Sequence, residues 1–150
     1  MSMNDALAKS AKTKKKILID FFTDWCGWCK KMDKSTYEDP KVIEVMNKYF
    51  LAVKFNAESE GPIKYKDKEY ALKAQGIRST HELAIMLLNG QMGYPTTTFM
   101  ASNHDLITNI PGYIDAKEMV LILRFIGEDL HKTMSFDDFK KQESSKGYSN

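Results

Sequence analysis

The chain has 150 residues, 43% of them apolar and 28% charged, and a net charge of +2 from 22 basic and 20 acidic side chains. These proportions are ordinary for one soluble globular domain with a real core, and so small a charge carries no electrostatic footprint for nucleic acid. Two cysteines are too few for a disulfide-stapled scaffold, and no apolar run is long enough to span a bilayer.

Residues 3–14 place Ala6, Leu7, Ala8 and Ala11 among lysines, a short amphipathic helix whose Lys14-Lys15-Lys16 end suits a helix C-terminus. Met1 to Lys16 holds no apolar stretch followed by a small-residue cleavage site, so no signal peptide is read there. The chain is then either cytosolic or a mature form whose targeting segment has been removed. Ile17 to Phe22 is apolar except for Asp20, as expected of a strand buried on both faces. A carboxylate in such a strand is expensive, because desolvation disfavours its charge. Either Asp20 sits at a frayed, solvated position, or it is a buried proton acceptor beneath the two cysteines that follow.

A helix is predicted from Gly27 to about Ser35, with Met32 inward, and Asp39-Pro40 ends it and opens another over Lys41–Tyr49. That second helix carries Val42, Val45, Met46 and Tyr49 on one face. Phe50 to Asn56 reads as another buried strand. Ile63, Tyr65 and Tyr70 around Asp67-Lys68 predict a small hairpin, against the alternative of a helix over Lys68–Gln75 closed by Gly76. Ser79-Thr80-His81-Glu82 has the form of a capping box, with Ser79 as N-cap of a helix over Thr80–Leu88 whose buried face is Leu83, Met86 and Leu87. Thr97–Met100 and Leu106–Ile110 are strands joined by a loop too short for anything but antiparallel pairing. Asp115 is expected to cap a helix over about 116–131 with Met119, Leu123, Ile126 and Leu130 buried. Ser135 starts one more short helix, and the last seven residues are expected to be disordered.

The chemistry concentrates in Asp24-Trp25-Cys26-Gly27-Trp28-Cys29-Lys30-Lys31, which holds both cysteines at a strand-to-helix junction. A helix N-terminus offers unpaired N–H groups and partial positive charge that stabilise a thiolate, and the C-x-x-C spacing lets one thiol reach the other. Half a structural zinc site is the competing reading. Zinc wants four Cys or His ligands, however, and His81, His104 and His131 lie on three different elements. A static disulfide closing so short a loop would remove little unfolded-state entropy. No His follows Cys29, so no haem attachment motif is present, and the nine methionines read as core fillers.

Helix, strand, Trp-Cys-x-x-Cys, helix, strand, helix, x-Pro-Thr, hairpin, glycine, helix: from Ile17 to Leu130 this order resembles the thioredoxin superfamily. Within it, Trp-Cys-Gly-Trp-Cys-Lys is similar to the bacterial branch containing the thioredoxin-like domain of membrane-linked disulfide interchange proteins, many of which are exported. The resemblance implies an α/β thioredoxin-like fold, a central mixed β-sheet flanked by helices on both faces, with an insertion at about residues 57–78. A single domain over residues 1–150 is expected, its core at about 17–131 and a short helix and disordered tail at 132–150.

Carried over by resemblance, Cys26 is the nucleophile and Cys29 the resolving cysteine. Asp20 is the buried carboxylate, Lys54 its lysine neighbour, and Trp25 the aromatic beside the site. Pro95 after Tyr94 is the cis-proline that offers backbone hydrogen bonds to a substrate chain, against an ordinary trans proline at a strand start. Gly112 keeps the docking groove open. Trp28, with Gly27, replaces the familiar Gly-Pro between the cysteines, so no reduction potential carries over; Trp25 and Trp28 are read as substrate contacts rather than plain surface aromatics.

The expected activity is thiol–disulfide exchange with protein disulfides, in the reducing direction. The alternatives are a redox-inert peptide-binding module, or a disulfide oxidase or isomerase. No metal and no cofactor beyond the Cys26–Cys29 disulfide is expected. The expected partners are protein thiols and disulfides and an upstream donor, thioredoxin reductase or a membrane electron donor. The chain is expected to act as a monomer, without nucleic acid, and outside the cytoplasm, with a cytoplasmic setting as the alternative. The insertion, longer than in a minimal member of the family and with Tyr65 and Tyr70 among charges, is expected to be a lid or specificity element near the groove. Gly76-Ile77-Arg78, which resembles a tripeptide near the family's cis-proline, is assigned to that insertion.

Overall fold

The computed structural model describes residues 1–146. They form two compact units, residues 1–31 with 50–113, and residues 32–49 with the segment from Ile114 onward.

The first unit is built on a mixed sheet of β1 (Lys16–Phe22), β2 (Phe50–Asn56), β7 (Thr96–Met100) and β8 (Leu106–Pro111). The order is β2-β1-β7-β8, with β1 parallel to β2 and antiparallel to β7, and β7 antiparallel to β8. Alternation along the strands sends Ile17, Ile19 and Phe21, with Leu51, Val53 and Phe55, to one face. There they meet Met3, Ala6 and Leu7 of α1 (Met3–Thr13) and Leu83, Ala84 and Leu87 of α4 (Glu82–Leu87). Each such aliphatic or phenyl side chain contributes roughly 1.5–3 kcal/mol when withdrawn from water, which is what fixes the strand register. Ser2 caps α1 by accepting the Asp5 N–H at 3.1 Å, and Lys14 ends it in the left-handed conformation, φ 63°.

The segment between β2 and α4 is two hairpins. The first, β3 (Ile63–Tyr65) and β4 (Lys68–Tyr70), turns through Lys66 and Asp67, both at positive φ as a two-residue hairpin with matching twist requires. The second, β5 (Leu72–Gln75) and β6 (Arg78–His81), turns through Gly76 at φ 65° and Ile77, and replaces the alternative helix over Lys68–Gln75. Gly76-Ile77-Arg78 therefore lies at this hairpin's tip, inside the insertion.

The second hairpin corrects the capping-box expectation. Ser79 and Thr80 pair with Ala74 and Lys73, and the His81 N–H bonds the Ala57 carbonyl at 2.7 Å, so a helix can begin only after His81. His81, fully buried, is the N-cap: its Nδ1 accepts the Leu83 N–H at 3.1 Å, which leaves Nε2–H to donate to the Gly61 carbonyl at 2.8 Å. Glu82 accepts from the Ala71 N–H at 3.0 Å instead of closing a box with Ser79. The buried face of α4 is Leu83, Ala84 and Leu87, and Met86, expected on that face, lies outward at 41% exposure.

Within the insertion expected to be a lid or specificity element, the first hairpin is not a free flap. Ile63 and Tyr65 are buried in the core cluster, and Tyr65 donates to the His104 carbonyl, so the first hairpin is packed down.

In the second unit, α3 (Pro40–Tyr49) packs on α5 (Ala116–Gly127), with Val42 and Val45 buried on one and Met119, Leu123 and Ile126 on the other. Asp115 caps α5 by accepting the Glu118 N–H at 2.8 Å. That helix stops at Gly127, short of residue 131, because Asp129 turns left-handed at φ 61° and a 3-10 turn over Leu130–Lys132 follows. Ser135 caps α6 (Phe136–Ser145), which runs two residues into the stretch expected to be disordered; the rest of that expectation, residues 147–150, falls outside the described residues. The helix α2 (Gly27–Lys34) begins in the first unit, and Met32 is buried as predicted. Among the described residues no helix is long and apolar enough to cross a membrane.

Candidate active site

The chain leaves β1 at Phe22, makes one turn through Thr23-Asp24-Trp25 and enters α2 at Gly27. Cys26 therefore stands at the N-cap, and it is bonded to Cys29, Sγ to Sγ at 2.27 Å. The Cys29 N–H also points at Cys26 Sγ, 3.1 Å away. That is one of the orphan donors of a helix start, which an N-cap oxygen ordinarily accepts; here a sulfur accepts it. A helix start of this kind favours thiolate over thiol, and the thiolate is the nucleophilic form of a cysteine. Both cysteines are largely buried, at 5% and 3% exposure.

Asp20 lies on β1, on the face opposite the core cluster, and is only 4% exposed, so the solvated alternative does not hold. Parallel pairing of β1 and β2 sets it directly opposite Lys54, whose Nζ is 3.7 Å from Asp20 Oδ2. Lys54 is half exposed and also covers the Phe22 ring at 4.5 Å. On the other side Asp20 is in register with Thr97 of β7, two residues after Pro95. The Tyr94–Pro95 bond is cis, and the Pro95 carbonyl accepts the Gly112 N–H at 2.8 Å. Gly112 has φ 96°, a conformation that side chains resist and glycine does not.

Both tryptophans are more than half exposed, Trp25 at 54% and Trp28 at 57%, and each is held by neighbours. Trp25 meets the Tyr94 ring edge-on at 6.0 Å and donates its Nε1–H to Glu58 at 3.0 Å. The Arg78 guanidinium covers the face of the same indole at 4.7 Å. Burial, reinforced by Glu58, pushes the Tyr94 phenol above its ordinary range, so it stays uncharged beside the indole. Trp28 rests against Tyr113, with ring centroids 5.5 Å apart, and Lys31 lies over both rings at 4.7 and 5.4 Å. Gly27 has open space around it. Asn56, at the end of β2, ties the turn down by donating to Asp24 at 3.0 Å and accepting the Glu58 N–H at 3.0 Å.

Sequence reasoning missed Glu58, Arg78, Lys31 and Tyr113. Lys31 was within reach of a pattern argument, since it is three positions from Trp28 on one helix. Glu58 and Arg78 were not, because only the paired hairpin brings residue 78 to residue 25.

A family model described as "thioredoxin-like domain" matches residues 3–127. The thiol:disulfide interchange protein DsbD of Vibrio vulnificus is 44% identical over 46 residues, 31% of this chain and 7% of that protein. The chain thus spans less than a tenth of the curated relatives it matches. Among solved structures, a thioredoxin-fold protein of Helicobacter pylori superposes with a TM-score of 0.60 at 18% identity, over 88% of this chain and 81% of the other. The C-terminal domain of Neisseria meningitidis DsbD in its reduced form superposes with a TM-score of 0.51 at 18% identity, over 83% and 97%. These likenesses support the fold: a central mixed sheet flanked by helices.

Proposed function

The chain belongs to the thioredoxin-like family and carries the dithiol of a thiol–disulfide oxidoreductase; on that premise we propose that it reduces disulfides in other proteins. The observation that carries the reading is the Cys26–Cys29 disulfide at the start of α2 with the Cys29 N–H on Cys26 Sγ. An upstream dithiol first reduces this disulfide. The Cys26 thiolate then attacks one sulfur of the substrate disulfide, a mixed disulfide forms, and the other substrate sulfur leaves as a thiolate. Cys29, losing its proton toward Asp20, attacks Cys26 Sγ and expels the second substrate thiol. Two electrons have moved to the substrate and the Cys26–Cys29 bond has re-formed. Lys54 faces Asp20 across the strands, the backbone at Tyr94–Pro95 takes the substrate strand, and Trp25, Gly27, Trp28, Tyr94 and Gly112 form its seat.

The exchange needs no metal or cofactor beyond the disulfide. Its electrons come from a thioredoxin reductase or a membrane electron donor, and the chain acts as a monomer outside the cytoplasm. The local match to thiol:disulfide interchange proteins supports this setting.

Equilibration with a thiol redox buffer tests the direction. A Cys26–Cys29 potential near thioredoxin's, about −270 mV, is expected, and one near −120 mV would make the protein an oxidant instead. Cys26→Ser is expected to abolish disulfide reduction, while Cys29→Ser accumulates the mixed disulfide. Retention of full activity by Cys26→Ser would remove the assigned nucleophile.

A further inference from the structure

The second hairpin does more than cap the first unit. It is pinned at its base, where the His81 N–H bonds Ala57 and the Glu82 N–H bonds Ala71, and its tip extends to Gly76-Ile77. Arg78, the first residue past the tip, lays its guanidinium on Trp25, the residue next to Cys26. One guanidinium nitrogen stands 4.0 Å from a Glu58 oxygen, while 57% of the Arg78 side chain stays in contact with solvent. Glu58 is less exposed, at 22%, and its other oxygen accepts the Trp25 Nε1–H. Asp24, next to Trp25 in the chain, accepts from Asn56. The carboxylates beside Trp25 thus serve as internal acceptors. With the Glu58 oxygen 4.0 Å away and more than half of the Arg78 side chain in solvent, the guanidinium over Trp25 has donors to offer a ligand beside the residue that precedes Cys26. A guanidinium matches a carboxylate in geometry and in sign. Ile77, wholly exposed at the tip, contributes apolar surface to the same approach.

We propose that Arg78 is a specificity residue that recognises an acidic side chain flanking the disulfide of the partner protein, with the β5–β6 hairpin as the arm that holds it over Trp25. The proposal deepens the reductase reading and rests on it: Cys26 supplies the chemistry, and Arg78 selects which disulfide approaches. A rim charge of this kind acts through association, so its effect appears in kcat/KM, weakens with salt, and leaves kcat nearly untouched.

The test uses two otherwise identical peptides with one internal disulfide, the residues flanking one cysteine being Asp and Glu in the first and Lys in the second. The reduced protein is expected to favour the acidic peptide about fivefold in kcat/KM at low salt, the size of one partly exposed ion pair. Arg78→Lys keeps the sign of the preference, Arg78→Ala erases it and Arg78→Glu inverts it. Lys73→Glu, the same charge change on the same hairpin, leaves it in place. The ratio is internal to each variant, so partial unfolding cancels. Equal rates for both peptides, or a preference that persists in Arg78→Glu, would overturn the proposal, an apolar dock on Ile77 then remaining as the hairpin's role. Reduction of the neutral bis(2-hydroxyethyl) disulfide by wild type separates the two layers. If that reaction proceeds without peptide discrimination, only the role of Arg78 falls; if it does not proceed, the exchange reading falls and the Arg78 proposal with it.

Discussion

Asp20 and Lys54 are cross-strand partners, with a nearly buried carboxylate oxygen 3.7 Å from an ammonium that remains half exposed. The asymmetry decides what each contributes. Lys54 keeps much of its hydration, whereas Asp20 is withdrawn from water with an ammonium beside it. Asp20→Asn is therefore expected to slow release of the mixed disulfide about a hundredfold, the scale of a lost general base. It should leave the first attack by Cys26 almost unchanged. Stopped-flow reduction read in two phases separates the steps. In Lys54→Met the second phase is expected to slow while the first is spared, read in the same stopped-flow traces. Equal slowing of both phases in Asp20→Asn would assign the residue a structural role only.

Gly112→Ala isolates backbone strain from crowding. Nothing lies within 4 Å of the added methyl group, yet φ is 96°. Forcing an alanine into that region costs about 1–3 kcal/mol, which for a chain of this size lowers Tm by roughly 2–4 °C per kcal/mol. The strain also loads the Gly112 N–H bond to the Pro95 carbonyl, so affinity for a peptide substrate should fall along with Tm. An unchanged melting curve would show that the backbone relaxes freely there.

Gly127→Ala poses the opposite case. Alanine gains up to about 1 kcal/mol in helix propensity, but its methyl would stand 2.5–2.8 Å from Tyr49 side-chain carbons. Displacing that ring also disturbs the Tyr49 hydroxyl's bond to Glu128 at 3.3 Å. Overpacking typically costs 1–3 kcal/mol, so the clash is expected to win by about 1 kcal/mol. A lower urea midpoint with unchanged slope would show it. A higher midpoint would mean that Tyr49 moves aside freely.

Glu143 of α6 is 2% exposed and pairs with Arg124 of α5 and with Lys146 at 3.4 Å. Burial pushes its carboxyl up, but the bonds from Arg124 and Lys146 outweigh that and hold it below the ordinary 4.5. A folded-state value below the unfolded one stabilises the fold fully above about pH 4.5, and the contribution is lost as pH falls through the lowered value. Glu143→Gln is thus expected to lose about 1–3 kcal/mol at pH 7, with the gap to wild type closing below pH 4.5. Urea titrations at pH 7 and below pH 4 measure it. A gap that is constant with pH would show that the charge of Glu143 contributes nothing.

What could be read along the chain was whatever neighbouring residues decide between themselves. The run Ile17–Phe22, the second strand Phe50–Asn56 and the helix opened by Pro40 stand where periodicity and proline put them. Asp115 and Ser135 cap the helices they precede. Ser79 failed as a cap for an instructive reason. A capping box is a local preference worth about 1 kcal/mol, and a ladder of four residue pairs closed by Gly76, with a backbone bond from His81 to Ala57, overrides it.

The sequence by itself determined that two thiols sit at a strand-to-helix junction, with a carboxylate on the preceding strand and a Tyr-Pro far downstream. All of that follows from order, spacing and local propensity. Resemblance alone named Lys54 beside Asp20; the tertiary structure supplied the cause, parallel register, and decided the other neighbours, the Gly112 N–H on the Pro95 carbonyl and Arg78 on Trp25 by way of a second hairpin. These pairs are separated by 17 to 53 positions. No local preference encodes them; they exist because burying one face of a four-stranded sheet fixes the register and brings distant segments to the same rim.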